Sequence, residues 1–313
     1  MKKYEKWTVA LELTDATSDL LKNVAKLAAE FVPTRITLIH VIETPDLPKV
    51  VLDDIPGLFE PDIKGVTRQI KEMVKPYFHP EQNIEVKVTT GNALSEVLKW
   101  TNKSSSDLLL IGRGKYTRIS ALSQKLTRKS PCSVMLLPGR SVTDLSKVVV
   151  PIDFSEYSET AMSMVNQMYE SNITMQVHVL SIYQDASRYL NQTFERADSV
   201  DEIVSKKEVI NKHLHQHAEK ELKEFLSHHG GAAFKTYLAA LERGRKEADI
   251  IDEMIDEMQP DLVILGSRNK KTSAVDLLSV VSEEVVPHGG RHLTLVLKKK
   301  GETRNWLKNL FDL

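Results

Sequence analysis

The stretch richest in chemistry is LGSRNKKTSAVDLL, residues 265–278, which follows the apolar run DLVIL. A strand that ends in Gly-Ser and passes through a polar loop into a helix can hold phosphate. Glycine lets the backbone approach, and main-chain N–H groups and a helix N-terminus complement the anion. Arg268, Lys270 and Lys271 add positive charge there. A second candidate is IDFS, residues 152–155, where an acid ends an apolar run and Ser155 stands where a helix N-cap is needed. A third is KHLHQHAEK, 212–220, which sets His213 and His217 four apart on one helical face, with Glu221 four further on. That spacing suits a metal pair. Two imidazoles without an adjacent completing ligand read as a solvated helix surface, so no metal site is expected. Cys132 is the one cysteine, which rules out an intrachain disulfide and reads as a small core residue. The chain has no G-x-S-x-G elbow, Walker loop or H-E-x-x-H pair, so no residue is assigned as catalytic.

These candidates are positioned by a pattern that runs through the chain twice. TVALELT (8–14) matches VVVPIDFS (148–155), setting Glu12 against Asp153 and Thr14 against Ser155 as helix N-caps. Helical segments follow at 19–31 and 159–170, then strands at 35–43 and 174–183. Long helical segments at about 62–78 and 199–228 lead to strands at 83–91 and 233–241, then helices at 93–103 and 246–258. DLLLIG (107–112) echoes DLVILG (261–266), and CSVMLLP (132–138) and HLTLVLK (292–298) close the halves. Strands alternating with amphipathic helices predict right-handed crossovers and a parallel sheet. The expected architecture is α/β: two tandem Rossmann-like or flavodoxin-like domains, 1–142 and 143–300. Each has a five-stranded parallel sheet with helices on both faces. GRSVTDLSK (139–147) is the linker. In the tail, 301–313, Trp306, Leu307, Leu310 and Phe311 fall at helical spacing, as in a short amphipathic helix.

Charge narrows the partners. Lys and Arg total 42 against 43 for Asp and Glu, which removes the electrostatic case for a nucleic-acid binder. No run approaches ~18 uncharged apolar residues, so no membrane span is expected. The N-terminus has no long apolar stretch, and a cytoplasmic protein is the expectation.

VVVPIDFSEYSETA (148–161), the DLVILGS strand end and PCSVMLLP (131–138), in this order of elements, resemble the universal stress protein family in its tandem two-domain form. The resemblance covers about 5–300. It implies adenosine against the acidic end of the first strand and phosphates on a loop of pattern G-x2-G-x9-G-[S/T]. Carried onto the second half, it implies ATP or another nucleotide held by Pro151, Ile152, Asp153, Phe154, Ser155, Val179, Gly266, Arg268, Asn269, Ser279, Val280 and Ser282. The loop departs from the pattern: Asn269 and Ser279 stand where glycines are expected, and Val280 where a hydroxyl is. Asn tolerates a left-handed backbone, so Asn269 is the mildest change. The first half departs further. Gly114 comes one position early, Glu12 replaces the acid's shorter form, and Ala10 replaces the equivalent of Pro151. ATP is therefore not expected there, and RGKYTR (113–118) reads as exposed basic surface.

The resemblance implies a non-catalytic stress-response binding or signalling module. Its halves would pair as an internal pseudo-dimer, with a homodimer or another protein as further partner. Two alternatives stand beside it: a weak ATPase using the second-domain site, and a protein-interaction module that has lost nucleotide binding. A pyrophosphatase or nucleotidyl-transfer enzyme would need S-G-G-x-D-S or H-I-G-H after the first strand, and IDFSEYS has neither.

Overall fold

The computed structural model describes residues 4–43, 61–113, 119–142, 144–189, 200–230, 234–267 and 292–299. They form two compact units. One comprises the described residues of Lys2–Thr143 with Lys298 and Lys299, the other those of Asp144–Leu297.

The first unit runs β1 (Lys6–Ala10), α1 (Thr17–Phe31), β2 (Arg35–Glu43), α2 (Ile63–Val74), β3 (Ile84–Gly91), α3 (Ala93–Lys103), β4 (Leu108–Gly112), α4 (Ala121–Lys129) and β5 (Ser133–Leu137). The strands are all parallel, in the order β3-β2-β1-β4-β5. The second unit repeats this with β6 (Lys147–Ile152), α5 (Glu156–Ser171), β7 (Gln176–Gln184), α6 (Val200–His229), β8 (Lys235–Leu241), α7 (Glu247–Met258), β9 (Leu262–Gly266) and β10 (Leu293–Leu297). Its order, β8-β7-β6-β9-β10, is again parallel. A short 3-10 helix, Ala186–Arg188, follows β7.

The central strands are apolar because a parallel sheet flanked by helices is buried on both faces. Val9, Leu38, Leu109 and Leu110 in one unit, and Val148, Val150, Val263 and Ile264 in the other, have no exposed surface. In each unit the chain starts at the middle strand, moves one way for two strands, then returns to the other side. Right-handed crossovers put the helices of the two directions on opposite faces, and the reversal opens a crevice at the carboxyl ends of the central strands.

Helix starts follow their caps. Asp62, Asn92, Ser120 and Ser155 each accept a hydrogen bond from the backbone N–H three residues on, opening α2, α3, α4 and α5. The expectation for Thr14 is corrected: α1 starts at Thr17, after Ala16, which makes no side-chain cap. Thr17 knits this turn instead. Its hydroxyl lies 2.7 Å from the carbonyl oxygens of both Glu12 and Thr14 and accepts the Thr14 N–H at 2.9 Å. The linker after β5 is held as well: Asn23, buried in α1, donates to the Arg140 carbonyl at 2.9 Å and accepts the Val142 N–H at 2.8 Å. Cys132 is buried, with the Ser130 hydroxyl 3.5 Å from its sulfur. The tail residues Trp306, Leu307, Leu310 and Phe311 lie outside the described residues.

Candidate functional site

The crevice of the second unit is a cavity of about 510 Å³. Pro151, Ile152, Asp153 and Phe154 bring the end of β6 into it, and Leu265 and Gly266 bring the end of β9. These strands flank the reversal of strand order, where open α/β sheets bind ligands. Its size falls within the range of small-molecule sites, about 300–1,000 Å³.

Asp153 is fixed by the turn that follows it. Its Oδ1 accepts from the Ser155 N–H at 3.1 Å, the Ser155 hydroxyl at 2.6 Å and the Ser158 hydroxyl at 2.7 Å. Ser158 also accepts the Asp153 N–H at 2.9 Å, so the exchange is reciprocal. A carboxylate at the start of α5 complements the partial positive charge of the helix N-terminus. Between Asp153 and Ser155 the chain turns at Phe154, whose φ of 60° is left-handed. For a bulky residue this costs of order 1 kcal/mol or more. Phe154 is held there by an edge-to-face contact with Phe225 of α6, ring centroids 5.4 Å apart.

The remaining walls come from β7, which the sequence reading connected to the site only through Val179, and from two helices that it did not connect to the site. Leu180 to Gln184 of β7 form one side, and Leu214, His217, Ala218 and Glu221 of α6 form another. Glu247 and Ile251 of α7 line it too. The wall of α6 is tied to β7 by Asp185, at 5% exposure. This carboxylate accepts from the Ser187 N–H at 2.7 Å and from the Asn211 amide at 2.6 Å, and Lys207 lies 3.8 Å away. Asn211 in turn accepts the Ala186 N–H at 2.7 Å. Burial pushes the Asp185 carboxyl up, but the Ser187 and Asn211 hydrogen bonds and the Lys207 charge together outweigh it. The group ends below the usual aspartate value.

The expected site residues divide as follows. Pro151, Ile152, Asp153, Phe154 and Gly266 meet at the cavity, and Ser155 stands behind them holding Asp153. Val179 is fully buried in β7, paired with Val150, and does not line the cavity. The cavity lies past the carboxyl ends of the strands, so Leu180 and its successors take that wall. Arg268, Asn269, Ser279, Val280 and Ser282 lie outside the described residues. His213 is exposed and off the cavity, whereas His217 lines it, with its Nδ1 3.4 Å from Glu221 Oε2. Among the described residues, no group of three or more His, Cys, Asp or Glu is placed to hold a metal ion.

The first unit has a smaller crevice of about 300 Å³, lined by Ala10 to Thr14 and by Ile39 to Val41, with Ile111 and Gly112. The match of Glu12 to Asp153 does not extend to its role. Thr17, the counterpart of Ser158, bonds the main-chain oxygen of Glu12 and leaves the side chain exposed. Nor is the basic run after β4 all exposed surface. Arg113 is 3% exposed, and burial pushes its pKa down to about 10. Its N–H donates to the Leu137 carbonyl at 2.9 Å, as Ser267 does to Leu297 at 2.9 Å in the second unit. Among the described residues, no helix is long and apolar enough to cross a membrane.

Comparison with known proteins agrees with this duplicated architecture. A universal stress protein E from Photorhabdus laumondii is 26% identical over 243 residues, covering 72% of this chain and 74% of that protein. A universal stress protein structure from Archaeoglobus fulgidus superposes with a TM-score of 0.60 at 14% identity, covering 94% of this chain and 98% of that one. A putative universal stress protein structure from Pseudomonas aeruginosa gives 0.63 at 12% identity, covering 100% and 99%. At these identities the structures speak for the fold alone. The family model for universal stress proteins matches twice, at residues 3–138, which span β1 to β5, and at residues 145–290, which span β6 to β9. The chain therefore belongs to the universal stress protein family, as two family domains in tandem.

Proposed function

We propose that this protein is a non-catalytic stress-response module whose second domain binds a ligand of the nucleotide class, with ATP among the candidates, in the cavity at Asp153. The observation carrying this reading is the placement of a fixed acid, Asp153, beside Gly266 at the reversal of strand order, in a cavity of about 510 Å³. Hydroxyl and amino groups of a nucleoside are donors that suit such an acid, and the apolar walls suit its ring. Ligand occupancy would favour the conformation in which α6 is docked, and so change the surface offered to a protein partner. The first domain, with its smaller crevice and an acid that its own turn does not hold, serves as a structural counterpart.

The test is mass spectrometry of ligands released from the purified protein, followed by calorimetry with ATP and with adenosine. Binding is expected, and Ala218→Leu, which adds bulk to the cavity wall, is expected to abolish it. No released ligand and no heat at millimolar concentrations of either compound would overturn the reading. Phosphate release that disappears in Asp153→Ala would overturn its non-catalytic part.

A further inference from the structure

β3 is the edge strand of the first unit. It pairs with β2 on one side, and among the described residues no strand pairs with it on the other. The Ile36 N–H donates to the Asn83 carbonyl at 3.0 Å, which fixes the alternation. Asn83, Glu85 and Lys87 turn their main-chain polar groups towards β2, and Ile84, Val86 and Val88 turn theirs outward.

An open edge of this kind is a template for another strand. A lone charge usually blocks it, because a second copy brings the same charge. β3 carries two opposite charges instead, Glu85 and Lys87, two residues apart and therefore on one face. Glu85 is exposed, with the Thr37 hydroxyl 3.4 Å from Oε2. Lys87 is half-buried, its Nζ 5.4 Å from the centre of the Trp100 ring of α3.

A two-fold axis closes a pair of copies, and it makes their edge strands antiparallel. Outward-facing residues must then oppose outward-facing residues, so the axis passes through a residue and not between two. An axis at Glu85 sets Glu85 against itself, and an axis at Lys87 sets Lys87 against itself. An axis at Val86 sets Glu85 of each copy against Lys87 of the other, twice. On the opposite face it sets Val86 against Val86 and Ile84 against Val88. Moving the axis one residue either way replaces two attractions with a repulsion, so charge selects the register. β8, the edge of the second unit, has no such register, because Lys235 is its one charged residue.

We propose that β3 is a self-association edge: a second copy of this chain adds its β3 antiparallel about Val86, with Glu85 and Lys87 paired across the axis. The contact joins two first domains and does not rest on the ligand reading above.

The test is sedimentation velocity on the full chain at up to about 200 μM, which reaches the weak contacts of a small interface. The wild type should show a reversible monomer–dimer equilibrium that weakens severalfold when salt is raised to about 500 mM. Lys87→Glu and Glu85→Lys each oppose like charges twice and should weaken dimerisation at least about tenfold. An equimolar mixture of the two variants should recover it to within about threefold, because each then meets the opposite charges of the other. Should Lys87→Glu not fold, Glu85→Lys alone, at the exposed position, carries the test. A chain that stays monomeric across this range, single variants that dimerise like the wild type, or a mixture that does not recover the dimer would overturn the proposal.

Discussion

Asp185→Ala should loosen helix α6 while leaving the sheet in place. The substitution removes the acceptor for the Ser187 N–H at 2.7 Å and for the Asn211 amide at 2.6 Å, and ends the attraction to Lys207. Of these only the Asn211 bond and the Lys207 attraction reach α6, since Ser187 belongs to the turn after β7. A hydrogen bond to a charged group contributes roughly 1.5–3 kcal/mol, so the Asn211 bond at the low end amounts to about 1.5 kcal/mol. That is about tenfold in the equilibrium between docked and open α6. Native-state hydrogen exchange reads this directly: amides near Asn211–Leu222 should exchange about tenfold faster, while the buried amides of β6 and β9 stay within about threefold. Acid gives a second check. A carboxyl held below its usual value contributes stability that is present above the unfolded pKa, about 3.9, and is lost as pH falls through the folded value. Wild-type α6 should therefore lose protection on strong acidification, and the alanine variant should lack this step. Unchanged exchange in α6 at neutral pH would refute the reasoning, because it would mean that apolar packing alone holds the wall.

Two further outcomes follow from buried polar groups. Ser158→Ala deprives Asp153 Oδ1 of a 2.7 Å donor and the Asp153 N–H of its 2.9 Å acceptor, and should cost about 2 kcal/mol in urea unfolding followed by a probe in the second domain. His178 is 5% exposed, with Tyr237 3.0 Å from Nδ1 and no hydrogen-bond partner for Nε2 among the described residues. Burial, reinforced by the charges of Lys235 and Lys147, pushes its pKa down. The unfolded chain then binds the proton first, so stability should fall as pH drops below about 6.5. His178→Phe should flatten the melting temperature between pH 7 and 5, and an unaltered slope would assign the effect elsewhere.

The fold was legible because parallel central strands are apolar on both faces, which makes runs such as DLLLIG and DLVILG stand out. Boundaries slipped where burial outlasts pairing. Leu11 is buried at 5% exposure although β1 ends at Ala10, so an apolar run was read as a longer strand. Asp153 was legible because the residues that fix it are its sequence neighbours. The α6 wall was not, since its residues take meaning only from what they meet: Asn211 from Asp185, Phe225 from Phe154. The signal available was the spacing of Leu214, Ala218, Leu222 and Phe225 along one face, which the more conspicuous histidines obscured. Asp185 followed by Ala-Ser was also readable as a turn whose aspartate accepts the N–H two residues on. Arg113 was read as exposed because arginine usually is, and burial of such a side chain depends on tertiary neighbours that composition does not reveal.

Thr17 and Ser158 differ in what they leave to variation. At 158 the hydroxyl grips the acid itself, so residue 153 serves that turn as well as the recognition proposed for it, and a change there would disturb both. At 17 the hydroxyl grips the main chain, so the side chain at 12 has no part in that turn. A mutant library at position 153 would mix broken folds with altered ligand choice. A library at position 12 would sample new chemistry on an intact scaffold, which makes the first domain the better starting point for building a binding site by design.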